Sequence, residues 1–226
     1  MEWISSRQNS LVKSLRRLAE SRRARDEAGQ VLSEGEHLLR TMLDAGTQPS
    51  IVAISQRVSE NSSIQDLIRR CDTVRCVVIE DSIFDQIAPS DSPSGLLALS
   101  PMITDLPALR TNVDTLVLES VQDPGNVGSL IRTAAAAGVG QIVLSEGCAD
   151  AWSPRCLRAA QGAQWLVRIY NNQSLEAFLR DFEGDVAATV LAGGQSLYAC
   201  ALLNPVAWLF GNEGQGLSSQ MIGLAN

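Results

Sequence analysis

Arg132 is an arginine where packing alone would put an alanine. It follows Ile131 in a run (Val127, Leu130, Ile131, Ala134, Ala135) whose apolar and small residues recur at a helical period, and Gly138 closes that run. A guanidinium in so close-packed a helix needs a partner or an anion to justify its desolvation, and its planar fork can grip a phosphate while touching a hydroxyl. The chain reaches this helix from an apolar strand through Leu118-Glu119-Ser120-Val121-Gln122-Asp123 and a Pro124-Gly125 turn, with Asn126 expected as the N-cap. Free N–H groups at such a helix start bind anions. The known phosphate loops are absent all the same: Gly125 and Gly128 stand three apart with no lysine nearby, which fits neither a Walker loop nor a G-x-G-x-x-G fingerprint.

A second segment has the same character. Val206 to Phe210 read as an apolar strand, followed by Gly211-Asn212-Glu213-Gly214-Gln215-Gly216-Leu217-Ser218. Three glycines in six positions mark a backbone that turns sharply or lets something approach it, and the acid among them is either a loop charge or a ligand contact. Asn126 with Arg132 six residues later, then Glu213 in its glycine loop, resemble the first two motifs of the SpoU (TrmH-like) family of RNA ribose methyltransferases in the SPOUT superfamily, in family order. The resemblance implies Arg132 beside the reacting hydroxyl, Asn126 and Glu213 holding Arg132 and the ribose, and Gly211 at a position where S-adenosyl-L-methionine meets backbone, with Asn212 and Gly216 beside it. It also implies a third motif, Ser-Leu-Asn after an Ile-Pro strand, which completes the cofactor pocket and a trefoil knot. The sequence reaches Gly223-Leu224-Ala225-Asn226 without it, so the expectation is a methyltransferase domain lacking its C-terminal end, either as a fragment or with the true C-terminus left out. A knotted fold is an exception to the usual topology and follows here from resemblance alone.

The elements that must position these residues fall on either side of a link near residues 100–112, bracketed by Ser100-Pro101 and Leu106-Pro107. After it the period is that of a parallel α/β sheet, with strands expected at 115–119, 141–145, 165–169, 186–191 and 206–210 and helices at 127–138, 154–161 and 174–181. Ligands of such sheets bind outside the carboxyl ends of the strands. Thr189 and Leu191 end one strand, Gly211 to Glu213 follow another and Asn126 follows a third, so all three are expected to face one crevice, with Thr189 and Leu191 as further cofactor contacts. Before the link, helices at 7–28 and 34–45 alternate with strands at Val31-Leu32, Ile51-Ile54, Val74-Val78 and Leu96-Leu99, a small α/β unit. Ile4-Ser5-Ser6-Arg7-Gln8-Asn9, Ser33-Glu34-Gly35-Glu36 and Ser92-Pro93-Ser94-Gly95 resemble marks of the SpoU substrate-binding domain, which is similar to a ribosomal RNA-binding protein fold. His37, just after Gly35-Glu36, reads as structural or RNA-contacting, since no Ser or Cys nucleophile motif accompanies it. Residues Asp150-Ala151-Trp152-Ser153-Pro154-Arg155 and Arg158-Ala159-Ala160-Gln161-Gly162 also look like the family, with Arg158 either an RNA contact or a helix-surface arginine.

Composition bounds the reading. At 226 residues, 45% hydrophobic and 19% charged, the chain has material for one or two real cores. No apolar run approaches a membrane span, and Met1-Glu2-Trp3-Ile4-Ser5 lacks the basic start and apolar core of a signal peptide, so a cytoplasmic protein without a membrane partner is expected. Five cysteines (Cys71, Cys76, Cys148, Cys156, Cys200) without C-x-x-C spacing read as reduced core thiols, and with a single histidine no metal site is expected. The net charge of −7 opposes an RNA partner, but residues 1–25 carry +5 (Arg7, Lys13, Arg16, Arg17, Arg22, Arg23 and Arg25 against Glu2 and Glu20), leaving −12 for the rest. That stripe fits phosphate contact or a solvated amphipathic helix.

The sequence therefore reads as an α/β protein: residues 1–105 an RNA substrate-binding domain contacting RNA through Arg7, Arg16, Arg17, Arg22, Arg23 and Arg158, and residues 112–226 a SpoU-type α/β-knot methyltransferase domain. The resemblance implies an S-adenosylmethionine-dependent 2′-O-ribose methyltransferase of RNA, ribosomal RNA in particular, that dimerises through the catalytic domain. Two alternatives stay open: an RNA-binding protein without turnover, and a nucleotide-binding α/β enzyme using the Asp123-to-Ser129 turn.

Overall fold

Asn9 accepts the Leu11 N–H at 2.8 Å and opens a helix whose Leu11, Leu15 and Leu18 lie on one buried face. In the computed structural model, which describes residues 1–71, 73–202 and 205–226, this is α1 (Ser10–Glu20). It belongs to the first of two units, Met1–Asp105 with Trp152–Trp165; the second is Leu106–Ala151 with Leu166–Asn226.

The first unit runs β1 (Glu2–Ile4), α1, α2 (Arg22–Ala28), β2 (Gln30–Glu34), α3 (Glu36–Asp44), β3 (Ile51–Ser55), α4 (Ser62–Arg69), β4 (Arg75–Ile79), α5 (Asp81–Ile87) and β5 (Leu96–Pro101). The sheet order is β1-β4-β3-β5-β2, with β5 antiparallel to both neighbours. The single helix expected at 7–28 is two: Ser21 takes an extended conformation and accepts the Ala24 N–H at 3.2 Å, capping α2. Arg25, counted with the basic stripe, is buried at 3% exposure and donates to the Leu18 carbonyl at 2.6 Å. β1, α4 and α5 were not predicted. One face of the sheet closes over α1 and α5, where Leu15, Leu18, Phe84 and Ile87 meet Ala53, Val77 and Leu97.

The second unit continues with β6 (Thr115–Leu118), α6 (Pro124–Ala136) and β7 (Gln141–Leu144), then, after α7 (Pro154–Ala159) in the first unit, β8 (Arg168–Tyr170), α8 (Leu175–Arg180), β9 (Asp185–Ala188), β10 (Val206–Phe210) and α9 (Ser219–Ile222). All five strands are parallel in the order β8-β7-β6-β10-β9. Two expected boundaries move: Trp165 lies in a 3-10 turn before β8, and β9 ends at Ala188, leaving Thr189 and Leu191 beyond it. Val117, Val143 and Leu209 face α8 and α9 through Phe178, Leu179 and Met221. The segment 152–165 is an insertion of the parallel sheet that packs in the first unit: α7 lies on β2, and a Cβ on Gly162 would come within 3.1 Å of Thr41. Trp152 and Trp165 meet edge to face at 6.4 Å within it.

Candidate active site

The sheet order of the second unit reverses between β6, whose chain leaves toward β7, and β10 on its other side, and the loops after these two strands meet. The strands stay paired to their ends, Glu119 N–H donating to the Phe210 carbonyl at 2.9 Å. Asn212 then fastens both loops. Its Oδ1 accepts from Gly214 N–H (2.9 Å) and Gln215 N–H (3.1 Å), while its Nδ2 donates to the Ser120 carbonyl at 2.9 Å. Gly211 has to be glycine, because a Cβ there would stand 2.3 Å from the Gly216 and Leu217 backbone. Ser120 sits at φ 52°, which a non-glycine residue rarely adopts, held by the Ser145 hydroxyl on its N–H (2.9 Å) and by Asn212 on its carbonyl.

Glu213 joins the loops a second time. Its carboxylate accepts from Asn126 Nδ2 (3.0 Å), Asp123 N–H (3.1 Å) and Gln122 N–H (3.2 Å). The Asn126 hydrogen bond foremost, with those backbone donors, holds its pKa down to about 2. Asn126 is not the helix cap. Asp123 is, its Oδ1 accepting from Gly125 N–H (2.7 Å) and Asn126 N–H (3.1 Å), because Pro124 with its fixed φ and missing donor suits the first helical position and shifts the helix start forward. This releases the Asn126 side chain for Glu213, and with the amide nitrogen committed there, its Oδ1 accepts from no donor among the described residues.

Arg132 departs from expectation. Its side chain is exposed, with no hydrogen bond or ion pair among the described residues, so no desolvation has to be offset, and neither Asn126 nor Glu213 holds it. Six residues on, it lies about 120° round α6 and about 9 Å along it from Asn126. Ile131, at 0% exposure, takes the inward position beside it.

A cavity of about 1030 Å³ runs along the sheet face toward the carboxyl ends of β9 and β10, between α6 (Leu130, Thr133, Ala134) and Trp208 and Phe210. Thr189 and Leu191 line it; Gly211, Asn212, Gly216 and Arg132 do not. Its size and apolar walls fit a nucleoside cofactor such as S-adenosylmethionine. Thr189 is set in place by donating from Oγ1 to the Leu209 carbonyl at 2.8 Å.

The expected RNA-contact residues divide. Arg16 pairs with Glu20 (3.0 Å), Arg17 with Glu27 (2.7 Å), Arg22 with Asp26 (3.7 Å) and Arg23 with Glu27 (2.6 Å), all exposed. Arg7 and Arg158 are exposed without an ion pair among the described residues, and His37 is exposed at the start of α3. The i,i+4 spacing of three of these pairs was readable from the sequence; the strain at Ser120 carried no signal in it. Among the described residues the five cysteines form no disulfide, and burial raises the Cys148 thiol above its ordinary pKa. Among the described residues no cluster of three or more His, Cys, Asp or Glu could hold a metal, and no helix is long and apolar enough to cross a membrane.

A parallel α/β unit with a ligand cavity at its strand ends, joined to a second α/β unit, defines a two-part ligand-binding α/β protein. Its particular family follows from comparison: residues 114–226 match the SpoU rRNA Methylase family and residues 9–98 the MRM3-like substrate binding domain, and the chain belongs to the SpoU rRNA methylase family. It is 34% identical to a protein of Synechocystis sp. described as an uncharacterized tRNA/rRNA methyltransferase, over 98% of this chain and 82% of that one. It is 29% identical to the 23S rRNA (guanosine(2553)-2′-O)-methyltransferase RlmP of Bacillus subtilis, over 98% of this chain and 87% of that one. Among solved structures, the AdoMet-bound rRNA methyltransferase of Sinorhizobium meliloti is similar at TM-score 0.81 and 26% identity, covering 99% of this chain and 86% of that one.

Proposed function

We infer that the chain is an S-adenosylmethionine-dependent 2′-O-ribose methyltransferase of ribosomal RNA. The observation that carries the reading is the Asn126–Glu213 hydrogen bond, which brings the two family motifs into one fixed loop pair beside the cavity. The relatives named as rRNA methyltransferases and the AdoMet-bound neighbour support it.

When bound, the cofactor supplies an electrophilic methyl group. Thr189 and Leu191 are its proposed contacts in the cavity, with the backbone at Gly211, Asn212 and Gly216, in the loop that follows the cavity-lining Phe210, as further proposed contacts. Glu213, ionised at any working pH, fixes the Asn126 amide so that Oδ1 is the atom offered to a ribose hydroxyl. The Arg132 guanidinium is a planar fork of N–H donors with no acceptor, so its proposed part is to hold the phosphate beside that ribose and the oxygen as negative charge grows on it.

The exposure of Arg132, and its absence from the cavity wall of its own chain, support a homodimer through the catalytic unit in which Arg132 reaches the partner's site. Residues 1–105 are the proposed RNA-recognition part and 112–226 the methyltransferase part, with a knotted carboxyl-terminal arrangement carried by the family resemblance and a cytoplasmic location proposed from the apolar pattern of the sequence. Arg7 and Arg158 are the proposed RNA contacts with a free charge, and Arg16, Arg17, Arg22 and Arg23 are contacts whose acid partners must first open.

The test is methyl transfer from labelled S-adenosylmethionine to protein-free 16S and 23S rRNA, mapped by alkaline hydrolysis. One phosphodiester that resists cleavage is expected. A methylated base, or RNA binding with no transfer, would overturn the reading.

A further inference from the structure

The second unit holds only four cationic side chains, Arg110, Arg132, Arg168 and Arg180, against five aspartates and five glutamates. Arg180 pairs with Glu176 on α8. Of the three left without an ion pair among the described residues, two line one cavity. This cavity, of about 470 Å³, lies at the amino ends of β6, β7, β8 and β10, the opposite end of the sheet from the Asn126–Glu213 loops, and Arg110, Arg168, Asp114 and Gln141 are among its walls.

Its cations come off fixed backbone. Gln141, 4% exposed, accepts the Arg110 N–H at 3.1 Å and donates to the Arg110 carbonyl at 2.8 Å, with a further bond to Thr115 Oγ1 at 2.9 Å. Arg168 N–H donates to the Gly140 carbonyl at 2.9 Å. Asp114, the acid in the wall, has its Oδ1 engaged by the Val206 N–H at 2.8 Å. At Gly138 and Gly140 nothing stands within 4 Å of where a Cβ would lie, so that wall is bare backbone open to a ligand. In a unit with this excess of acid, two unpaired guanidinia converging on a polar, open cavity form a local reversal of charge, and such a reversal attracts an anion of fork-matching shape.

We propose that the Arg110–Arg168 cavity is an RNA phosphate-binding site, which holds the substrate's backbone at the end of the sheet remote from methyl transfer. It rests on the reading of the chain as an RNA methyltransferase. Strands of four residues set the two ends of the sheet about 13 Å apart, a span of a few nucleotides, so one RNA chain can occupy both.

The experiment is fluorescence anisotropy with a labelled single-stranded 20-nucleotide RNA of mixed sequence, titrated at several KCl concentrations, on wild type, Arg110→Gln/Arg168→Gln, and Gly140→Asp. The third places a carboxylate in the cavity where the structure leaves room for it and strains no backbone. Both variants are expected to bind RNA roughly tenfold more weakly at low salt, and the double variant to lose about 1.4 from the salt slope, two phosphate contacts of a single strand. S-adenosylmethionine affinity and melting temperature are expected to match wild type. Wild-type affinity and slope in variants that fold would overturn this site alone and leave the methyltransferase reading intact. Failure of the wild-type chain to bind either RNA or cofactor would overturn that reading and this inference with it. Displacement of the RNA by micromolar inorganic phosphate or GMP would show a site for free phosphates and overturn the assignment to RNA.

Discussion

The loops around Glu213 and the helix pair α1–α2 use the same material, carboxylates facing nitrogen donors, with opposite results. Glu213 receives three neutral donors from Asn126, Asp123 and Gln122 and no cation, so it stays a full negative charge in a fixed place. Glu20, Asp26 and Glu27 receive four guanidinium groups on long exposed stems, Glu27 taking two of them, and all but one of the positive charges are cancelled. Neutral donors preserve a charge and aim it; exposed ion pairs hide it and stabilise little, on the order of 0–1 kcal/mol each.

The largest effect is expected at Arg132, an exposed charge that no carboxylate cancels. Arg132→Ala should melt within about a degree of wild type and bind cofactor normally, while methyl transfer to rRNA falls about a hundredfold or more. Mixing it with Glu213→Ala should restore about a quarter of the sites if each dimer draws Arg132 from one chain and Glu213 from the other. No recovery would place both groups in one chain's site.

Next comes Glu213 itself. Glu213→Gln keeps the shape but turns an acceptor into a donor facing Asn126, and should lower transfer about tenfold to a hundredfold and the melting temperature by about 2–4 °C. Arg17→Gln, which breaks an exposed pair, should shift the melting temperature by less than about a degree. Equal losses from the two would erase the distinction between aimed and cancelled charge.

Acid sharpens it further. The folded pKa of Glu213, about 2, lies below its ordinary 4.5, so its contribution to stability is present above pH 4.5 and is lost as pH falls through about 2. The amide NMR signals of Gln122 and Asp123 should therefore titrate with a midpoint near 2. A midpoint near 4.5 would mean the loop bonds are not held in solution.

The smallest effect concerns RNA. Neutralising Arg16, Arg17, Arg22 and Arg23 together should change the salt slope of RNA binding by less than one unit, since three carboxylates already balance three of their four charges, whereas Arg7→Gln with Arg158→Gln should remove about one unit or more. The reverse result would show that the helix pairs open for phosphate.

The two loops were legible because their residues leave little choice: a glycine whose Cβ would strike backbone, a proline that begins a helix and apolar strands before each. The cap was misread because Asn126 and Asp123 are both good caps, and only the position of Pro124 decides between them. The burial expected of Arg132 failed for a different reason. Ile131 beside it takes the inward face, and a stripe this narrow leaves the next position in water. α4 and α5 are only about two turns each, and β1 is three residues at a sheet edge, so none offers the longer run of period or alternation that a pattern needs. The placement of 152–165 in the first unit is set by contact with β2 and α3, which no local period encodes.

That placement has a consequence in time. The chain passes between the units after residues 105, 151 and 165, so the first unit, although it starts the sequence, does not hold its last piece until Trp165 has been made. At about 5–20 residues per second, the roughly sixty residues from 106 onward take some 3–12 s to emerge from a ribosome. During that interval β6, α6 and β7 exist while β2 still lacks α7. The two units therefore mature together, and the order in which they are written is not the order in which they are finished.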